Sequence, residues 1–426
     1  MRQNNTFAMI SQGCRLNHSE TASLANEFKA NGLNEVALDH NPQLVVVNTC
    51  TVTENGDKDT LKLIRKINDA CSDPQIALIG CQSQIKKDDL LTLSGVRWVI
   101  GNESKEKTAD LILSNNTGVH VNKFKKKSFS QPYSSFDPKH TRVNLKIQDG
   151  CDFYCSFCII PFARGPARSR DAKNILDDAK ALIHLGVKEL VLTGINLGTY
   201  QNRDMDFYYI LTALLSLNPD TRIRISSIEP TTIDERLIQL WHTYPNFCRY
   251  LHLPIQSATD EILTKMRRKY TLNEYAQFMT NVHSALPGIC IGTDIIVGFP
   301  GETDDLFDQT YDFLNRSPIH YFHVFRYSER QMAHSRKFSD PVSPETLKKR
   351  SAQLRQLHTK KWHDYMKSKC GDTVKVLFEQ RKLGDWVGAT DHFIKVKVTS
   401  SDPLKNQFRQ VRLTGVSEAM MTGELV

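Results

Sequence analysis

The sequence lacks any run of eighteen apolar residues, which excludes an ordinary membrane-spanning helix. Its first residues, MRQNNTFAMISQGC, are too polar for the apolar stretch of a secretory signal, so a cytoplasmic location is expected. Neither an internal repeat nor a low-complexity tract is present, which sets aside solenoid and fibrous designs. Charge is only mildly one-sided: the net +8 permits a polyanionic partner without demanding one. What is there is a soluble, core-forming composition, 40% hydrophobic and 24% charged over 426 residues. That length asks for two or three domains.

The first segment alternates strand and helix signals. FAMIS, LVVVN and QIALIG read as buried strands. SETASLANEFKANG and DKDTLKLIRKIN read as helices, the former with Ser19 available as cap and Gly32 as stop. Such alternation predicts a parallel α/β sheet. Cys14, Cys50 and Cys81 each follow one of these strands, and ligands of open α/β sheets gather at strand carboxyl ends. Three thiols far apart in sequence are thereby expected to converge, although any one of them alone would read as core packing.

Residues 115–138, rich in Ser, Asn, Lys and Pro, read as a linker. A second β/α series follows: RVNLKIQ, KELVLTG, RIRISSI, YLHLPI, GTDIIVGF and HYFHVFRY are its strands. Six such units predict an open, partial (β/α)6 barrel rather than the closed eightfold form. After the basic helix LKKRSAQLRQLHTKKWHDYMKSK the pattern changes to strand alternation in TVKVLF, FIKVKV and FRQVRL, predicting a small, separable antiparallel β-barrel. The fold class is α/β, divided into an N-terminal parallel domain (1–114), the linker (115–138), a central barrel (139–368) and the C-terminal β-barrel (369–426).

Two basic clusters stand out, Lys123, Lys125, Lys126 and Lys127, and Lys348, Lys349, Arg350, Arg355, Lys360 and Lys361. Each alone reads equally as a solvated face or as a phosphate-binding one.

The sharpest chemical signal is GCDFYCSFCIIP, in which Cys151, Cys155 and Cys158 stand in C-x3-C-x2-C spacing just after a strand. Three thiolates on a short loop hold three irons of a 4Fe-4S cluster, and with no fourth cysteine nearby one iron stays open. Zinc is the weaker alternative, because it favours four closed ligands from paired knuckles.

This spacing is the signature of the radical S-adenosyl-L-methionine (SAM) enzymes, and the resemblance narrows over nearly the whole chain. SQGCRLN, VNTCTVT and LIGCQ resemble the N-terminal domain of the methylthiotransferases; CSFCIIPFARGPARSR, LHLPIQS and TDIIVGFPGET resemble their radical-SAM core. The C-terminal barrel resembles their RNA-binding TRAM domain. CTVT, KIQDGC, LTGINLGTY and SSIEP resemble the subgroup that acts on threonylcarbamoyladenosine in tRNA.

The resemblance implies two 4Fe-4S clusters, the first on Cys14, Cys50 and Cys81 and carrying the sulfur to be transferred, the second on Cys151, Cys155 and Cys158 and binding SAM. It implies methylthiolation of C2 of N6-threonylcarbamoyladenosine next to the anticodon, with a tRNA anticodon stem-loop and an electron-donor protein as partners and no membrane. It places Thr193, Gly194 and Asn196 near the SAM methionine, and Phe157 near its adenine, where a plain core aromatic is the other reading. Glu229, Gln256 and Ser257 would meet the SAM ribose or carboxylate. Gly298, Gly301 and Glu302 form a further strand-end loop, or simply a turn. Departures occur at Ser257-Ala258-Thr259-Asp260 and at Gln331-Met332-Ala333-His334, which touch substrate contacts rather than chemistry. Cys71, Cys248, Cys290 and Cys370 match no motif and read as ordinary thiols. The competing readings are a methylthiotransferase of a ribosomal-protein aspartate and an RNA-binding protein with structural metal sites.

Overall fold

The structure, a computed structural model, describes residues 5–125, 128–131 and 133–426. Its first layer follows from the alternation of β-branched and polar runs. Six parallel strands, in the spatial order Asn34–Glu35, Thr6–Ser11, Leu44–Thr49, Gln75–Gly80, Val96–Ile100 and Gly118–His120, form one sheet. Successive side chains leave opposite faces of a strand. Val46, Ala77 and Ile79 therefore join a core under the helix Arg15–Ala30, with its Leu24 and Phe28. Val45, Val47, Ile76 and Leu78 join another under the helix Glu54–Ala70, with its Ile64 and Ile67. A parallel sheet covered on both faces explains why the middle strands read as unbroken apolar runs.

Two local expectations change here. The first helix begins at Arg15, with Cys14 in the cap position, and Ser19 is buried inside the helix rather than capping it. The cause is Gly13, whose φ of +87° turns the chain out of the strand early. A Cβ at Gly13 would stand 2.7 Å from the Cys50 Sγ, so only glycine permits this close approach. Within residues 115–138, Gly118–His120 adds the sheet's last strand, and Ser128–Phe129 pairs with Arg168–Arg170, itself paired with Gln148–Asp149. Lys126 and Lys127 lie outside the described residues.

The central region carries six strands in sequence order, Arg142–Lys146, Glu189–Thr193, Arg222–Ile225, Tyr250–His252, Cys290–Val297 and Tyr321–Arg326. They form two parallel three-stranded sheets, and the bridges Ile223 to Phe247 and Ser227 to His252 join the two. Among the described residues the sixth strand does not pair back to the first, so the barrel is open. The N-terminal helix Arg15–Ala30 packs on the first strand, Arg142–Lys146.

The helix Pro344–Lys367 starts where Ser343 Oγ accepts from Thr346 N at 3.1 Å and Pro344 fills the first turn. Its Leu354 and Leu357 enter the central core, and its Tyr365 and Met366 enter that of the C-terminal barrel. Five strands close that barrel, Thr373–Lys382, Asp385–Ala389, Lys395–Val398, Met420–Leu425 and Phe408–Ser417. Four of its five pairings are antiparallel. The pair Lys395–Val398 with Met420–Leu425 is parallel, correcting the all-antiparallel expectation. A crossing of nine residues before Phe408–Ser417 lets the last strand enter beside the third in the same direction. Nor is the barrel packed alone: Tyr250 and Cys290 of the central strands belong to its core. Arg222 Nη1 donates to Ala389 O at 3.1 Å, and Arg224 donates to Asp391 O at 2.9 Å and Thr390 O at 3.0 Å. No helix among the described residues is long and apolar enough to cross a membrane.

Candidate cluster sites and the interface between them

Three neighbouring strands of the first sheet deliver Cys14, Cys50 and Cys81 to one edge. Cys14 stands at the cap position of the helix after Thr6–Ser11, Cys50 directly follows Leu44–Thr49, and Cys81 opens the helix Cys81–Lys86 after Gln75–Gly80. Cys14 is exposed, Cys50 half-buried and Cys81 buried. Burial pushes the Cys50 thiol up to about 11, and Cys81 and Cys14 add to the rise, so both lie within electrostatic reach of Cys50. Asn102 Nδ2 lies 3.5 Å from Cys81 Sγ.

The second set is local. Gly150, with φ +70°, turns the chain into the loop, and a Cβ there would meet Pro166 O at 2.0 Å. Cys151 N donates to Gly165 O at 3.0 Å and closes the loop. Ser156 Oγ donates to Lys265 O at 2.7 Å, pinning the loop to the central region. All three thiols are half-buried. Burial pushes Cys151 up to about 11 and Cys158 up to about 12, with Cys155 adding to both rises and Cys151 to that of Cys158. Burial also raises Cys155, against the pull of Arg268, whose Nη1 donates to its Sγ at 3.4 Å. Arg268 also pairs with Glu229, whose carboxyl burial raises and Arg268 lowers.

Among the described residues no three His, Cys, Asp or Glu side chains converge on a point as a single ion requires. A lone zinc draws thiolates to about 2.3 Å from one centre. A four-iron cluster is gripped at its corners, so its thiolates stand apart, and two sets of three neighbouring thiols within electrostatic reach fit that larger group. Thiols held neutral by burial must lose protons as they ligate.

Beside the cysteine loop, buried polar atoms without partners fit a polar ligand. Thr193 Oγ1 and Asn196 Nδ2 are two such atoms, at the carboxyl end of Glu189–Thr193. Gln148 Oε1 accepts from Ile195 N at 2.8 Å and Asn196 N at 3.0 Å, while its Nε2 donates to Gly150 O at 2.9 Å. Gln148 thus ties this turn to the cysteine loop. A Cβ at Gly194 would press on Gln148 Oε1 at 2.9 Å. Gln256, at φ +70°, bridges by backbone to the strand Cys290–Val297. Ser257 is buried, its hydroxyl 3.4 Å from Thr259 Oγ1. Phe157 packs on a core of Ile262, Met266, Ile296 and Phe299. Gly298, Gly301 and Glu302 form a turn fastened to the long helix: Glu302 Oε2 accepts from Gly298 N at 2.6 Å and Arg350 Nη1 at 2.7 Å. A cavity of about 440 Å³ opens on Cys155 and Cys158, and the departing residues Gln331 to His334 line its far side.

Between the two cysteine sets lies a buried ion network that the sequence did not reveal. Arg164, wholly buried six residues after Cys158, donates to Asp149 Oδ1 at 2.8 Å, Glu20 Oε1 at 3.0 Å and Asn17 Oδ1 at 2.6 Å. Lys105 and Lys146 each reach Glu20 at 2.6 Å. Burial alone would raise the Glu20 carboxyl, but Arg164, Lys105 and Lys146 hold it well below the usual carboxylate range. Asn102 Nδ2 adds a bond to Ala163 O at 2.6 Å, and the helix Cys81–Lys86 packs on Ile160–Arg164. A second tie joins Arg330 to Asp57 at 2.8 Å and to Thr51 Oγ1 at 2.7 Å, just past Cys50.

The second basic cluster divides. Lys348, Lys349, Arg355 and Lys360 are exposed. Arg350 is buried on Glu302 and Asp304, and Lys361 Nζ donates to Asn315 O and Ser317 O, so these two are structural. Arg355, Lys360, Trp362, His358 and His363 line a groove of about 750 Å³ against Glu418 and Ala419.

Residues 145–314 match the radical SAM superfamily, and residues 6–101 match the uncharacterized protein family UPF0004. The chain is 32% identical to the threonylcarbamoyladenosine tRNA methylthiotransferase MtaB of Bacillus subtilis, covering 99% of this chain and 96% of the relative. It is 33% identical to the protein of the same name from Aquifex aeolicus, covering 90% and 94%. In fold it is similar to the radical SAM methyltransferase TsrM of Kitasatospora setae, with a TM-score of 0.54 at 15% identity over 75% of this chain and 73% of that one. Full-length similarity of this kind, with the match of the central region to the radical SAM superfamily, places the chain in the radical-SAM tRNA methylthiotransferase family, among the threonylcarbamoyladenosine methylthiotransferases.

Proposed function

We propose that this enzyme carries two 4Fe-4S clusters, one on Cys14, Cys50 and Cys81 and one on Cys151, Cys155 and Cys158. Its reaction is replacement of the C2 hydrogen of N6-threonylcarbamoyladenosine, beside the tRNA anticodon, by a methylthio group. The observation that carries this reading is the placement of two three-cysteine sets on either side of one buried ion network.

When bound, the SAM-ligating cluster supplies the electron that cleaves SAM to a carbon radical able to take an unactivated hydrogen. The chain's own residues orient and exclude water. Thr193 Oγ1 and Asn196 Nδ2 are donors left open for the SAM methionine, and Gly194 lets Gln148 and Leu197 close against the turn that holds them. Glu229 is held by Arg268 at the edge of the same loop, where it meets the ribose, with Gln256 and Ser257 on the next strand end. Phe157 supports the adenine side. The exposed Arg355 and Lys360, beside Trp362, contact phosphates and stack on unpaired bases of the anticodon arm. An external protein delivers the electrons.

The test is an iron and sulfide count on anaerobically purified protein, with mass spectrometry of a threonylcarbamoyladenosine-containing stem-loop after turnover. About eight irons and the methylthio product are expected. About four irons, or an unmodified base, would defeat the reading.

A further inference from the structure

Arg142 and Arg224 lie within electrostatic reach of Arg15 beside the open barrel, and both are spoken for. Arg142 pairs with Glu379. Arg224 grips Glu189 at 2.7 Å and two carbonyls of the C-terminal barrel. The third, Arg15, has no carboxylate partner and no hydrogen-bond acceptor among the described residues. It is half-buried and lies within electrostatic reach of Tyr250, Arg142, Arg224 and Glu189. The neighbouring carboxylates are already committed, Glu189 to Arg224 and Asp294 to His252 at 3.1 Å. A guanidinium drawn out of water among other cations, with no anion of its own, is an incomplete ion pair.

Its placement is built rather than incidental. The Arg15 guanidinium carbon stands 5.8 Å from the centre of the Phe393 ring, which also packs on Tyr250 at 4.9 Å. Phe393 sits at φ +70°, a strained conformation for a bulky residue, so its position is imposed by the fold. An aromatic ring attracts the cation without accepting from its N–H donors as a carboxylate would, which leaves those donors free for a planar, two-oxygen acceptor.

Arg15 also directly follows Cys14. On the reading proposed above, on which this inference rests, C2 of the adenine must come to the cluster held by Cys14. In adenine only N1 separates C2 from C6, so a substituent on N6 projects from the same edge as the reacting carbon. The ribose and its phosphates leave from the opposite side of the base. We infer that Arg15, backed by Phe393, binds the carboxylate of the N6-threonylcarbamoyl group and makes the enzyme selective for adenosines bearing that acid. Three parts of the chain, the first helix, the central barrel and the C-terminal barrel, would then meet on one substrate group.

The experiment uses cluster-loaded, full-length protein and three synthetic anticodon stem-loops. One carries threonylcarbamoyladenosine, one its methyl ester, and one plain adenosine. Wild-type protein is expected to bind and modify the acid about ten- to a hundredfold better than the ester, the size of one charged hydrogen-bond pair. Arg15→Gln should bring acid and ester to parity with its iron content unchanged, and Arg15→Lys should keep part of the preference. Equal preference in wild type and Arg15→Gln would overturn the inference. So would an equal loss on all three stem-loops, which would mark Arg15 as a phosphate contact or a purely structural residue. A wild-type enzyme that treats acid and ester alike while methylthiolating both would overturn it and leave the proposed reaction standing. Failure of wild type to methylthiolate the acid at all would defeat the proposed reaction itself.

Discussion

The two cysteine sets are brought together by opposite means. Cys151, Cys155 and Cys158 lie on eight consecutive residues, and the loop is closed by its own backbone, Cys151 N to Gly165 O at 3.0 Å. Cys14, Cys50 and Cys81 span sixty-eight residues and meet because three parallel strands end side by side. The local set needs little of the fold to take shape. The dispersed set exists only once the sheet has formed, and it is joined to the local set through Arg164, Glu20 and Asp149. The lesson is that a site's dependence on tertiary structure follows from the sequence separation of its parts.

The largest expected effect falls on the local set. Cys151→Ala should abolish SAM cleavage, read as loss of 5′-deoxyadenosine by chromatography; ordinary yields would break the assignment of that loop. Cys50→Ala should remove about four of eight irons and all methylthio product while SAM cleavage persists. If both activities vanish together, the two sets are not separable in the way the comparison claims.

Arg164→Met probes the joint between them. It leaves Glu20 to Lys105 and Lys146, and Asp149 to Lys146 and Arg168, one buried cation short, which should cost about 3 kcal/mol in a urea titration. Glu20→Gln in that background should recover part of the loss, and an additive result would show that the network does not couple the two regions. In the wild-type protein both carboxyls titrate below their ordinary values of 4.5 and 3.8. The unfolded chain therefore binds protons first as pH falls. The stabilisation is complete above those ordinary values and is lost as pH drops through the folded ones. Arg164→Met should flatten that acid limb. The smallest effect is expected on the surface: Arg355→Ala with Lys360→Ala should lower the salt slope of tRNA binding by about two and leave iron untouched.

Particular residues show how far the sequence could be read. The parallel sheet, the open six-unit barrel and the C-terminal strands were legible because period and turn residues are local signals. Ser19 was misread as a cap because the turn at Gly13 depends on Cys50, thirty-seven residues away, leaving room for no side chain. Arg350 and Lys361 were grouped with exposed cations by charge alone, yet the fold spends them on Glu302, Asp304 and two carbonyls. The parallel closing pair of the last barrel was hidden because alternation reports that a strand has two faces and not which neighbour it takes.

By itself the sequence determined the chemistry-bearing types: six motif cysteines, six βα units, a basic helix and a strand-rich end. These follow from covalent spacing and from the periods of helix and strand, which act over a few residues. Tertiary structure alone decided who meets whom. It set Arg164 between Glu20 and Asp149, Gln148 between the cysteine loop and the turn at Gly194, and Arg15 over Phe393 without an anion. Such pairings join residues up to several hundred positions apart, and charge alone does not name a partner. Only packing, by taking water from a group, decides which opposite charge it must find.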